Sequence, residues 1–329
     1  MRENTKRFGT GFGLVSAIAT LVLGLIISAT PADARTAGTR TTARWAGAIN
    51  TSSMAAVNAA YWSQYASKQS LSTGWSGGSL SSCAPGASSA ASNAATLSSL
   101  NFVRSLAGLA PVRLSSTLNA SAQRAALMMS ANGALSHHPT SSWRCYTSAG
   151  AAAAAKSNLA LSYPSIRSGQ IVDLYMDDPG SSNKAVGHRR WVLNPFATVM
   201  GTGSTNTANA LVVVGPSSYR RPNPKYVGWP TPGYFPNAIE PNGRWSLSAG
   251  NRKMRFGKAK VRVYRNGVRI PVRKYAVRNG YAQPTVVWQM PSGFSKSSAY
   301  RVVVKNIRRK GTTKRFKYAY TVRLFTPTH

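Results

Sequence analysis

The sequence predicts an α+β chain in which a helix-rich layered part is followed by an all-β part. Two patterns carry this. Between residues 53 and 178 apolar side chains recur at helical spacing, with short extended segments only at 199–203 and 210–214. After Trp245 the apolar period changes to two, and the turn signal Asn266-Gly267 lies between Val261/Val263 and Val268/Ile270. With 329 residues and 43% hydrophobic content, the chain can hold two modest cores, and its composition excludes a disordered protein.

The elements follow in order. Residues 1–34 read as an export signal: Arg2, Lys6 and Arg7 make a positive start, an apolar run covers 12–29, and Ala32-Asp33-Ala34 offers a cleavage site. The apolar run approaches spanning length, so an uncleaved anchor is the alternative. Residues 35–92 read as an N-terminal helix and Ser/Gly-rich arm, with the helix over 53–68 on the face Met54, Val57, Tyr61 and Tyr65. Gly74-Trp75-Ser76-Gly77-Gly78 matches the nucleophile-elbow pattern, but no strand precedes it and such matches are common in Ser/Gly-rich sequence.

The helical domain is expected over 93–215. Leu97, Leu100, Val103 and Ala107 form a stripe that stops at Gly108, and a second helix opens after Ser115 and ends near Gly133. The alanine run 149–155 favours another helix, as does 169–178 with Ile171, Leu174 and Tyr175 inward. Residues 216–245 hold seven of the 18 prolines and read as a stiff connector. Residues 246–329 read as six or seven short strands, an immunoglobulin-like β-sandwich by analogy of pattern.

Charge is the strongest compositional fact. The chain has 41 Lys and Arg against 6 Asp and Glu; loss of residues 1–34 would leave 38 against 4, a net +34. Residues 241–329 carry 22 of the cations and no acid. On the last strands Arg315, Lys317 and Arg323 alternate with Phe316, Tyr318, Tyr320, Val322 and Leu324, and Arg301 and Lys305 alternate with Val302 and Val304. This pattern presents cations outward while keeping a core. Outside a cell it points to anionic cell-wall polymer or anionic lipid headgroups, and nucleic acid is disfavoured for an exported chain. The two cysteines, Cys83 and Cys145, lack metal-type spacing and read as one disulfide, with a pair of free thiols as the alternative.

Chemically committed residues cluster in short motifs: Ser136-His137-His138, Ser157-Asn158-Leu159-Ala160, Asp177-Asp178, Gly187-His188-Arg189 and Met200-Gly201-Thr202-Gly203. Together with Asn101 to Arg104 and Gly108-Leu109, their order resembles the CAP superfamily, also called the SCP or PR-1-like domain. The resemblance implies an α-β-α sandwich with a cleft of two histidines and two acids, which binds a divalent metal in some members. His137 and His188 stand at the histidine positions. Ser157 stands where the family's glutamate precedes Asn-Leu-Ala, and Asp178 falls near the second acid. The resemblance places Ser157 and Asn158 at the cleft beside them, with Pro139 turning His138 away from it.

Two neutral imidazoles and a carboxylate suffice for an open zinc site, which makes His137, His188 and Asp178 the candidate ligands. No cofactor is required by the reading; a divalent metal such as zinc is the optional one. A triad of Ser136 or Ser157 with His188 and Asp178 can be written, but nothing in the sequence activates either serine. The expected function is therefore noncatalytic binding by a secreted, extracellular or wall-associated protein, through the basic C-terminal part and a cleft for a small or apolar ligand. A metal-dependent or serine hydrolase using the His137/His188 cleft is the alternative, and a purely structural wall component comes third.

Overall fold

Short hydroxyl side chains start the helices. Ser53, Ser89, Ser115 and Thr147 each accept a backbone N–H of the first turn, capping α1 (Met54–Gln64), α2 (Ala90–Leu106), α3 (Ser116–Asn132) and α4 (Ser148–Ala154). Gly108 and Gly133 stop α2 and α3 in left-handed backbone, at the positions the sequence predicts. Then come α5 (Gln170–Asp177) and α6 (Gly187–Val192). The structure, a computed structural model, describes residues 43–329; the expected export signal at 1–34 lies outside the described residues.

In the helical part four strands form one sheet in the order Arg113–Leu114, Val199–Ser204, Ala208–Val212, Ser157–Leu161. Its first pair is parallel and the other two are antiparallel. Alternation along Ala208–Val212 sends Ala210 and Val212 into a small alanine- and methionine-lined core with α3 and α4, and Leu211 into the main core with α2 and α5. Helices thus cover both faces, which is the α-β-α sandwich expected. Gly201 and Gly203 explain how closely α3 lies. A Cβ on Gly201 would stand 2.3 Å from that of Leu118, and one on Gly203 would stand 2.2 Å from the Gln123 amide nitrogen.

The Ser/Gly-rich arm is more ordered than a linker. Ser76–Ser79 and Ala84–Ala87 pair as a hairpin, and Cys83 beside its turn is disulfide-bonded to Cys145. Val57 on α1 and Tyr65 directly after it are buried, whereas Met54 faces solvent.

The second part is a two-sheet sandwich, so the chain as a whole is α+β. One sheet runs Val268–Ile270, Lys260–Arg265, Ala299–Arg309, Arg315–Phe325, Gly233–Pro236, with Met254–Arg255 also paired to Ala299–Arg309. The other runs Arg273–Lys274, Thr285–Gln289, Arg244–Ala249, Tyr226–Trp229. Trp245 of one sheet meets Tyr300 of the other edge to face at 5.6 Å between ring centroids. A bulge centred on Asn306, at φ 58°, shifts the register after Val304 and returns Ile307 to the core.

The segment 216–245 is not a free connector. Tyr226–Trp229 pairs with Arg244–Ala249, Gly233–Pro236 runs parallel to the last strand, and Trp229 is wholly buried. Its prolines are spent mainly at turns and strand ends, where a missing N–H costs no ladder bond. The main core continues from the α2–α5 layer into the sandwich, and the described residues belong to one compact unit.

Candidate functional site

A cleft of about 370 Å3 opens where the two parts of the chain meet, and His137, His188, Ser157 and Asn158 all line it. His188 is delivered by the loop between α5 and α6. That loop is bracketed by two residues in left-handed backbone, Asp178 at φ 54° and the wholly buried Val186 at φ 47°. A β-branched side chain rarely adopts this conformation, so the surrounding packing must hold Val186 there.

Asp178 is buried and fixes His188. Its Oδ1 accepts from His188 Nδ1 at 2.9 Å, and its Oδ2 accepts from the backbone N–H groups of His188 at 3.0 Å and Arg189 at 3.4 Å. With both carboxyl oxygens accepting, Nδ1 of His188 is the donor, and in the neutral imidazole Nε2 then carries the lone pair. His137 reaches the same tautomer by another route: its Nδ1 lies 3.0 Å from the Ala154 carbonyl, which can only accept. Both imidazoles therefore have Nε2 as their free acceptor. The Tyr175 ring lies beside His188, 5.5 Å between centroids, and its buried hydroxyl donates to Asn209 Oδ1 at 2.8 Å. Burial pushes that phenol well above its ordinary pKa.

Several expected roles change. Asp178 is an orienting group rather than a third ligand, because both oxygens are engaged and the side chain is sealed from the cleft. Ser157 Oγ donates to the Ala153 carbonyl at 2.7 Å, closing the end of α4, and so makes neither a replacement for the family glutamate nor a nucleophile bonded to His188. Among the described residues no group of three or more His, Cys, Asp or Glu is placed to hold a metal ion. The zinc set His137, His188 and Asp178 is thus not assembled, and the residues present do not fit that group. Asn158 is buried and donates to the His188 carbonyl at 3.1 Å, which steadies the first turn of α6. His138, expected to point away, also lines the cleft; its backbone N–H bonds Ser136 Oγ at 3.0 Å.

Sequence reasoning missed the work of the two arginines after His188. Arg189 donates to the Met176 and Asp177 carbonyls at the end of α5, and across the joint to the Arg244 carbonyl at 2.8 Å and Ser246 Oγ at 3.1 Å. Arg190 donates to the carbonyls of Arg278, Tyr281 and Gln283. Burial pushes both guanidinium groups down to about 10, and the carbonyl dipoles around them hold the charge at neutral pH. The only sequence signal was their position: two cations directly after a cleft histidine, in a chain with too few acids to pair them.

The far wall of the cleft comes from the sandwich. Gly280 and Tyr281 line it, and Tyr281 lies over Arg190 with 5.1 Å from the guanidinium carbon to the ring centroid. A Cβ on Gly187 would stand 2.7 Å from that ring. The glycine of Gly187-His188 is therefore what lets the loop close against α6.

A helix–sheet–helix layer carrying two histidines of fixed tautomer defines a recognisable class of domain. Residues 97–215, a little over a third of the chain, match the family model of CAP, the cysteine-rich secretory protein family. Over that segment the chain is similar to the CAP family, the similarity that the order of its motifs predicts. No curated protein matches the chain.

Proposed function

We propose that this is a secreted CAP-domain protein that binds noncatalytically at the cell envelope, held on anionic polymer by its basic sandwich, with the histidine cleft as a second binding site. One observation carries the reading. Arg301, Lys305, Arg315, Lys317 and Arg323 are all exposed, and none is ion-paired to an acid among the described residues. The strand register makes this costly, since Lys260 lies directly opposite Lys305 and Arg308 opposite Arg315. Like charges facing each other across strands destabilise a sheet, and a bound polyanion relieves the repulsion. The similarity of residues 97–215 to the cysteine-rich secretory protein family and the Cys83–Cys145 disulfide support export to an oxidising compartment. The hydrolase alternative has one observation in its favour, the Asp178–His188 pair, and among the described residues no serine hydroxyl is bonded to it.

Co-sedimentation of the full chain with purified anionic wall polymer, and with anionic vesicles, tests the proposal. Binding is expected at low salt with release by roughly a few hundred millimolar, because exposed charges are screened over about 10 Å at 0.1 M. Changing the five exposed cations to Gln should weaken it at least tenfold. Retention indifferent to both salt and the five substitutions would remove the anchoring role from this face.

A further inference from the structure

The cleft does not end at Tyr281. On the other side of that ring lies a second hollow of about 340 Å3, lined by Arg252 and Arg255, and Trp191, Gly280 and Tyr281 line both hollows. The two aromatic rings are therefore a shared ridge in one longer groove, built jointly by the CAP domain and the sandwich.

The lining has a consistent chemistry along its length. At one end the His137 and His188 rings offer Nε2 lone pairs, which accept hydroxyl protons. Exposed Lys156 lines the same end. On the ridge, Tyr281 is 39% exposed, and its ring is held from beneath by Arg190. At the other end Arg252 and Arg255 are exposed, and neither is ion-paired among the described residues. Arg190 also borders this hollow, with its donors committed to carbonyls; Arg255 gives only Nη1 to the Arg252 and Met254 carbonyls, so the cations with donors to offer a ligand here are Arg252 and Arg255.

An acyl chain offers nothing to the imidazole acceptors and would meet polar groups such as Ser182 and Asn183 where it needs a continuous apolar wall. A sugar ring supplies what the groove takes: hydroxyl donors for Nε2 and C–H faces for the aromatic rings. Carboxylate or phosphate substituents match guanidinium groups in bidentate geometry.

We infer that this groove is a binding site for an anionic oligosaccharide, in which Trp191 and Tyr281 pack against sugar rings, His137 and His188 accept hydroxyl protons, and Arg252 and Arg255 take an acidic substituent. The site deepens the envelope-binding reading and rests on it for where such a ligand is met. Tyr281 is then a specificity residue supplied to the CAP cleft by the other part of the chain, and the small or apolar ligand expected from the sequence is replaced by a polar, ring-shaped one.

Calorimetry on the full chain tests this with four probes: a trimer of galacturonic acid, its fully methyl-esterified neutral form, a glucose trimer phosphorylated at its 6-hydroxyls, and inorganic phosphate. One of the acidic trimers should bind at least tenfold more tightly than the neutral ester, and which of the two does so identifies the acid. Tyr281→Ala should weaken that binding at least tenfold while Tyr281→Phe retains it. Arg252→Gln with Arg255→Gln should abolish the preference for acid over ester. All three positions are exposed, so unchanged urea midpoints will show that the variants fold. The variant lacking the five exposed sandwich cations should keep trimer binding, which separates failure of this site from failure of surface anchoring. Equal binding of acid and ester, an unaffected Tyr281→Ala, binding of inorganic phosphate alone, or no binding of either acidic trimer would each overturn the inference.

Discussion

In the CAP domain Arg104, Arg189 and Arg190 point inward and are surrounded by backbone carbonyls, whereas in the sandwich Arg301, Arg315 and Arg323 point outward with no ion-pair partner among the described residues. The acids explain the division. Asp173 accepts from Tyr65, Asp177 from Asn242, and Asp178 from His188, while Glu240 accepts from Trp245 and pairs with Lys296. Among the described residues none is left for the outer sheet. With so few carboxylates, buried cations are held by the partial charges at helix and strand ends, and exposed cations are left to ligands. The same side chain is thus cement in one half and binding surface in the other.

The largest effect that would break this contrast is on the cement. Arg189→Ala removes donors from four acceptors and opens a cavity, so it should cost roughly 3–5 kcal/mol of unfolding free energy by urea titration. Arg301→Ala should leave the midpoint unmoved. Equal effects at both sites would erase the distinction.

A somewhat smaller effect is expected from the covalent tie, which occurs only in the CAP half. Reducing Cys83–Cys145, 62 residues apart in sequence, should cost about 2–4 kcal/mol through the entropy of the freed loop. Thiol titration of unfolded, unreduced protein should find no free sulfhydryl, and two reactive thiols would refute the pairing in solution.

The smallest effect sharpens the comparison from the acidic side. Burial raises the Asp173 pKa above its usual value, with the nearby Asp177 adding to the rise, although the hydrogen bond from Tyr65 opposes it. The folded state therefore holds the Asp173 proton more tightly than the unfolded chain. Its stability contribution is full below the unfolded pKa of about 3.9 and is lost as pH rises through the folded value. Asp173→Asn should keep the Tyr65 bond, raise the urea midpoint slightly at pH 7, and flatten the fall in stability above about pH 4. An unchanged pH profile would mean that Asp173 ionises at no cost to the fold.

Local signals made much of this legible. Gly108 and Gly133 marked the ends of α2 and α3, Ser115 the start of α3, and Asn266-Gly267 a hairpin, because these are short-range backbone requirements. The strand Ser157–Leu161 was missed as a strand: with four of its five residues buried it has no alternation, and an alanine run precedes it. Helix α6 was missed because six residues make less than two turns. The order of motifs placed His137 and His188 at one cleft, but it could not tell that Asp178 would be spent on orienting His188 or that Ser157 would close α4. Those facts depend on which hydrogen bonds the fold completes. The contribution of Tyr281 was beyond reach for the same reason, since it lies 93 positions from His188 and no local pattern links them.

The double grip of Arg189 and Arg190 also limits modularity. Residue 215 ends the segment that carries the family's signature, yet it is not a seam along which the chain can be cut. A graft of 97–215 into another protein would strand two guanidinium groups whose acceptors lie at Arg244, Ser246, Arg278, Tyr281 and Gln283, and would leave the histidine cleft without its far wall. Any recombination that moves this CAP domain has to carry the receiving strand and the 278–283 loop with it, so the unit of inheritance is longer than the unit of resemblance.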